Sequence, residues 1–188
     1  MDDEIISFKI LILGDQSVGK TSFIIRFCDD KFYEEMLSTI GIDVKKKNIE
    51  INNKKIIIKI FDTAGQERFK SISKNYFKSS DGILLLYDVS SLESFNSIRG
   101  WIKNIEESLD LSEIGFVVIA NKTDIPEDER QVSDLMKEDL EKSLNIKIIE
   151  TSAKENKNVE ECFKMLVEKI YENKYKYEIK NKKIKLLY

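Results

Sequence analysis

Histidine is absent from this 188-residue chain, proline occurs once, and cysteine twice, as Cys28 and Cys162. Without histidine and without a CxxC pair there is no ligand set for a structural zinc, and two cysteines do not make a disulfide framework. Both thiols fall in helical patterns and read as small apolar side chains in a reducing compartment. Only 7 glycines are present, which excludes a collagen-like repeat, a long flexible linker and a disordered chain. No apolar run reaches the ~18 residues of a membrane-spanning helix. The opening Met1-Asp2-Asp3-Glu4 is acidic where a secretory signal is basic. These absences predict a soluble, intracellular protein unless a lipid is attached to it.

What is present suits one compact domain: 41% hydrophobic residues for a core and 35% charged residues for a solvated surface. The formal net charge of −3 gives no sign of a nucleic-acid partner. Charge is unevenly spread, however. Between Lys174 and Lys185 stand six lysines and one glutamate, Glu178. A basic tail on an acidic body would sit against an anionic leaflet, while on charge alone a solvated tail or a frayed helix end is the commoner reading.

Apolar runs alternate with helical patterns. Residues 5–13 form an apolar run ending in glycine, hence a buried strand, and 21–29 a short helix. Residues 30–40 have no period, and an irregular stretch of that length in a compact chain is usually a working loop. Segments 44–51 and 55–61 flank Asn52-Asn53, a hairpin turn. Strands follow at 82–89, 116–120 and 147–150. Helical spacing is carried first by Phe95, Ile98, Trp101, Ile102, Ile105 and Leu109, then by 132–144. A last helix holds the stripe Val159, Cys162, Phe163, Leu166, Val167 and Ile170. The expectation is an α/β protein of three layers: a six-stranded, mainly parallel sheet with one antiparallel edge strand, and five helices on its two faces. Ligands of such folds sit beyond the carboxyl ends of the strands.

Four motifs fall at those ends. Gly14-Asp15-Gln16-Ser17-Val18-Gly19-Lys20-Thr21 follows a strand and opens a helix, the context a phosphate-binding loop requires. Glycines let the backbone curl so that successive N–H groups point inward, and the helix N-terminus adds partial positive charge. The expected phosphate contacts are Asp15, Gln16, Ser17, Val18, Gly19, Lys20, Thr21 and Ser22, with Lys20 as the full charge and the Thr21 hydroxyl on Mg²⁺. In Asp62-Thr63-Ala64-Gly65-Gln66, Asp62 would hold Mg²⁺ through water. Gly65 would bring an N–H to the γ-phosphate, and Gln66 would orient the attacking water. In Asn121-Lys122-Thr123-Asp124, the Asp124 carboxylate accepts from N1–H and the exocyclic amine of guanine, a pairing adenine does not offer. Lys122 would lay its stem along the ring. In Ser152-Ala153-Lys154, the Ala153 N–H would meet the guanine carbonyl while Lys154 covers the ring. Each motif alone has a bland reading as a turn; their order and placement give them weight.

The four motifs in this order resemble the small GTPases of the Ras superfamily over residues 8–171. Ser38-Thr39-Ile40-Gly41-Ile42-Asp43, Phe61-Asp62-Thr63-Ala64-Gly65-Gln66-Glu67-Arg68-Phe69 and Arg130-Gln131-Val132-Ser133 resemble Rab sequences, and the phosphate loop and residues 121–124 and 150–154 those of the Golgi-type Rabs. The resemblance implies a P-loop G domain over residues 1–173 followed by a lysine-rich tail, 174–188. It implies a slowly hydrolysing GTP/GDP switch in membrane traffic, with Lys20 and Gln66 catalytic and Thr21, Thr39 and Asp62 around Mg²⁺. Phe32 would pack on the base, and 30–40 and 62–73 would be switch loops. It also implies an exchange factor, an activating protein, a GDI or escort protein, and effectors on Val44, Phe61 and Tyr76, with the chain a monomer. Two of these three positions are smaller than the usual aromatic triad. Gln16 stands where Ras has glycine, near where an activating protein would insert. Rabs end in prenylated cysteines, and this chain ends Ile184-Lys185-Leu186-Leu187-Tyr188 without one: either it continues further or it is unanchored, its lysines giving weak, salt-sensitive attachment. The rival readings are a P-loop nucleotide kinase, for which no residues are spare for a lid, a nucleotide-binding pseudo-GTPase scaffold, and a non-Rab branch of the superfamily.

Overall fold

The computed structural model describes residues 6–36, 42–51, 54–63 and 77–185. Its strands are β1 (Ile6–Leu13), β2 (Ile42–Ile51), β3 (Lys54–Thr63), β4 (Gly82–Asp88), β5 (Gly115–Asn121) and β6 (Ile148–Glu150). They form one sheet in the order β2-β3-β1-β4-β5-β6. The β2–β3 pair is antiparallel, with Ile51 opposite Lys54, and all other pairs are parallel. Four α-helices stand among the described residues: α1 (Lys20–Asp29), α2 (Leu92–Glu106), α3 (Asp134–Leu144) and α4 (Val159–Lys185). The expected count of five is therefore corrected to four there, with one short 3₁₀ turn at Glu127–Glu129.

The central strands are apolar throughout because both of their faces are covered. In β4 and β5 every residue is buried. In β1, Ile10 and Ile12 face one core with α1 and α4, while Leu11 and Leu13 face a second with α2 and α3. The α4 stripe predicted from its spacing is buried in the first core from Val159 to Ile170. Phe163 stacks on Phe23 and Phe27 of α1 there.

Helix ends follow local chemistry. Ser91 and Ser133 accept from the backbone N–H groups of Ser94 and Met136 and cap α2 and α3. The capping role of Ser133 explains why α3 starts at Asp134 rather than at the expected residue 132. Asp30 and Asn145 take left-handed conformations and end α1 and α3. Helix α4 runs past residue 174 to Lys185 with non-helical angles at Tyr175. Lys174 Nζ lies 2.5 Å from Asp81 Oδ1. No helix among the described residues is long and apolar enough to cross a membrane.

Strand β1 is flanked by β3 on one side and β4 on the other. The segment leaving its carboxyl end thus emerges where the strand order reverses, the place where open α/β sheets form their ligand crevice.

Candidate functional site at the carboxyl edge of the sheet

The loop leaving β1 is a tight coil that only certain residues permit. Gly14 and Gly19 have φ of +138° and +94°, values that side chains with a Cβ rarely adopt. A Cβ on Gly14 would meet the Leu86 carbonyl oxygen at 2.2 Å, and one on Gly19 the Asn121 Nδ2 at 2.6 Å. The loop is therefore pressed against β4 and against the end of β5. Gly19 is the N-cap of α1 and brings no side chain to cap it. That leaves the first turn to an outside anion.

Lys20 is buried and folds back over the loop, donating to the carbonyls of Gly14 at 2.9 Å and Asp15 at 2.6 Å. Burial pushes its pKa down to about 8, opposed by the nearby carboxylates of Asp62 and Asp15. Thr21 Oγ1 donates to Asp62 Oδ2 at 2.6 Å, which joins the first turn of α1 to the end of β3. A hydroxyl and a carboxylate side by side are the hard oxygen donors that Mg²⁺ takes. The donor set therefore fits the ion.

The expected base-reading residues converge on the same edge. Asn121 is buried and braces two neighbours: Nδ2 donates to the Val18 carbonyl at 2.9 Å, and Oδ1 accepts from Thr151 Oγ1 at 3.1 Å. It ties the phosphate loop to the end of β6. Asp124 Oδ1 accepts from Ser152 Oγ at 2.6 Å, and that same Oγ accepts from the Glu155 N–H. The carboxylate is thus aimed by the loop that carries Ala153. Lys122, at φ +65°, pairs with Asp88 Oδ2 at 2.6 Å. Ala153 is buried, Lys154 is exposed, and Phe32 is half-buried against the first core. Thr39, Gly65, Gln66 and Tyr76 lie outside the described residues.

Three supporting residues were not legible from the motifs. Arg26 on α1 donates from Nε to the Ala153 carbonyl at 2.8 Å and from Nη2 to the Lys154 carbonyl at 3.0 Å. Its Nη1 reaches the Asp30 backbone and side chain. The signal for it was a charge inside the otherwise apolar run Phe23-Ile24-Ile25-Arg26-Phe27. Asp88, which holds Lys122, ends β4 on the same edge as the motifs. Trp101 of α2 donates from Nε1 to Asp15 Oδ1 at 2.8 Å and fixes the second residue of the phosphate loop; nothing in the spacing marked it out from the other apolar residues of its helix.

Comparison with known proteins matches the Ras family over residues 9–172. The human Ras-related protein Rab-8B is 47% identical over 156 residues, covering 83% of this chain and 74% of the relative. The Bos taurus Rab-8A is 45% identical over 163 residues, covering 87% and 78%. This chain belongs to the Rab branch of the Ras family. It is a GTPase, a GTP-binding switch that regulates vesicular traffic. The Rab exchange factors, activating proteins, GDI proteins and effectors define its partners in general terms.

Proposed function

We propose that this Rab holds GDP and GTP along the carboxyl edge of its sheet with the residues assigned above. The observation that carries the reading is the aimed carboxylate: Ser152 holds Asp124 from the loop that also presents Ala153, while Asn121 locks both loops to the phosphate loop. The amides of residues 15–22 and the Lys20 ammonium face the phosphates. Thr21 and Asp62, with Thr39, hold Mg²⁺. When bound, Mg²⁺ neutralises charge on the phosphate oxygens.

GTP hydrolysis proceeds by in-line attack of a water oriented by Gln66, with the Gly65 N–H and Lys20 taking up charge on the γ-phosphate. No arginine in cis is assigned to the transition state. Intrinsic turnover is then slow, on the order of 10⁻⁴ to 10⁻² s⁻¹, and a partner's arginine adds about 10³-fold or more. The output of the switch is the conformation of the two loops, displayed to effectors around Val44, Phe61 and Tyr76. The chain acts as a monomer, peripheral on endomembranes. The Golgi, singled out by the phosphate-loop likeness, is the first membrane to test.

Asp124→Asn should weaken GDP binding by roughly 10²-fold or more and shift preference to xanthosine diphosphate, read by competition for a fluorescent nucleotide. Retained preference for GDP would remove Asp124 from the base site. Gln66→Leu should lower single-turnover hydrolysis at least tenfold with nucleotide affinity unchanged; hydrolysis at the wild-type rate would take the attacking water away from Gln66.

A further inference from the structure

The phosphate loop carries a carboxylate of its own. A loop that gathers N–H groups around an anion is weakened by a negative side chain turned into it, yet its second residue is Asp15. Ser17, two positions on, has a φ of +64°. That left-handed turn draws successive N–H groups into an anion-binding hollow. An aspartate readily accepts from the backbone N–H two residues ahead of it. Asp15 therefore stands where its carboxylate could cap the Ser17 N–H and fill the hollow. The Lys20 ammonium, 2.6 Å from the Asp15 carbonyl oxygen, is a second attraction in the same direction.

The carboxylate is nevertheless turned away. Its Oδ1 accepts from Trp101 Nε1 at 2.8 Å, across 86 positions of sequence. This is its one hydrogen bond among the described residues. Trp101 is the single tryptophan of the chain. On α2, Phe95, Ile98, Ile102 and Ile105 are buried in the second core, and Trp101 is half-buried at its margin. Packing there would be served by any large apolar side chain. A half-buried indole could also satisfy its N–H with water. What the indole adds is a donor that cannot accept, fixed at the edge of a rigid ring. Such a donor on a helix holds a carboxylate in one direction, and bonds to a charged acceptor are the stronger kind.

We infer that Trp101 is a positioning residue for phosphate binding: its indole N–H holds the Asp15 carboxylate out of the amide hollow that the nucleotide's phosphates fill. The inference rests on the proposed phosphate site and adds what keeps that site open. A loop closed by its own carboxylate binds nucleotide only through its open fraction, and apparent affinity falls by that fraction.

The test is a double-mutant cycle on the full chain, with affinity taken from the association and dissociation rates of a fluorescent GDP. Trp101→Phe should weaken GDP binding about tenfold, the order expected for one hydrogen bond to a charged group. In an Asp15→Ala background the same change should weaken it less than about twofold, because no carboxylate remains to swing inward. Equal losses in the two backgrounds would make Trp101 a packing residue and overturn the inference. So would wild-type affinity in Trp101→Phe. A second measurement leaves Trp101 intact. The lone indole N–H resonance in ¹H–¹⁵N spectra should move upfield in Asp15→Ala, where its charged acceptor is gone. A resonance that does not move would mean that the bond is absent in solution, and the inference would fail there too. That resonance reports the bond whether or not nucleotide binds; a wild-type chain that bound no GDP would instead remove the proposed phosphate site, and the role of Trp101 with it.

Discussion

Arg26 shows how a single side chain joins two loops that the chain keeps far apart. Its guanidinium reaches carbonyls 127 and 128 positions away, on Ala153 and Lys154. A planar fork with fixed donors suits two neighbouring backbone acceptors. By holding those carbonyls it anchors the loop whose Ala153 N–H, in the proposed site, meets the guanine carbonyl. Loss of a hydrogen bond from a charged group typically costs about 1.5–3 kcal/mol. Arg26→Ala should therefore speed GDP release about tenfold or more, read by stopped-flow with a fluorescent nucleotide. Release of 2-aminopurine ribonucleoside diphosphate, which lacks the carbonyl, should change much less. Equal acceleration of both nucleotides would make Arg26 a general fold contact rather than a positioning residue. Asp88 and Trp101 belong to the same class of support, each holding one motif residue from a different element.

At the scale of elements, the β2–β3–β1 corner carries a row of like charges in register across its strands. The pairings Lys46–Lys59 and Lys59–Lys9 oppose like charges across both sides of β3. Lys59→Gln relieves both, and should raise unfolding stability by about 0.2–1 kcal/mol at low salt, with the gain shrinking as salt screens the row. Urea melts at two ionic strengths check this, and a variant less stable than the wild type would mean that the row is stabilising. Elements were largely legible from the sequence. The strands came from apolar runs, and the α4 stripe from its period. Helix α3 starts two residues beyond the start of its apolar period, because Val132 is apolar and buried yet precedes the Ser133 cap. Periodicity reports burial, while a helix begins where its cap says.

On the whole-molecule scale, nucleotide and fold are linked in the proposed site, where the ligand would touch the ends of β1, β3, β5 and β6 together. A ligand that binds only the folded state at 100 times its Kd adds about 2.7 kcal/mol. For a chain of this size that is roughly 5–10 °C in Tm. Removing nucleotide and Mg²⁺ with a chelator should lower Tm by this amount, and added GDP with Mg²⁺ should restore it. In Asp124→Asn, xanthosine diphosphate rather than GDP should do so. A Tm indifferent to GDP would contradict the site. The sequence by itself determined the four motifs, their order and the parallel sheet that presents them. Phosphate and base recognition are performed by short contiguous loops, and continuous apolar runs mark buried strands. Tertiary structure alone decided that Arg26, Asp88 and Trp101 support those loops and that three lysines from three strands stand in one row. Strand register and long-range packing bring together residues that no local window of the chain contains.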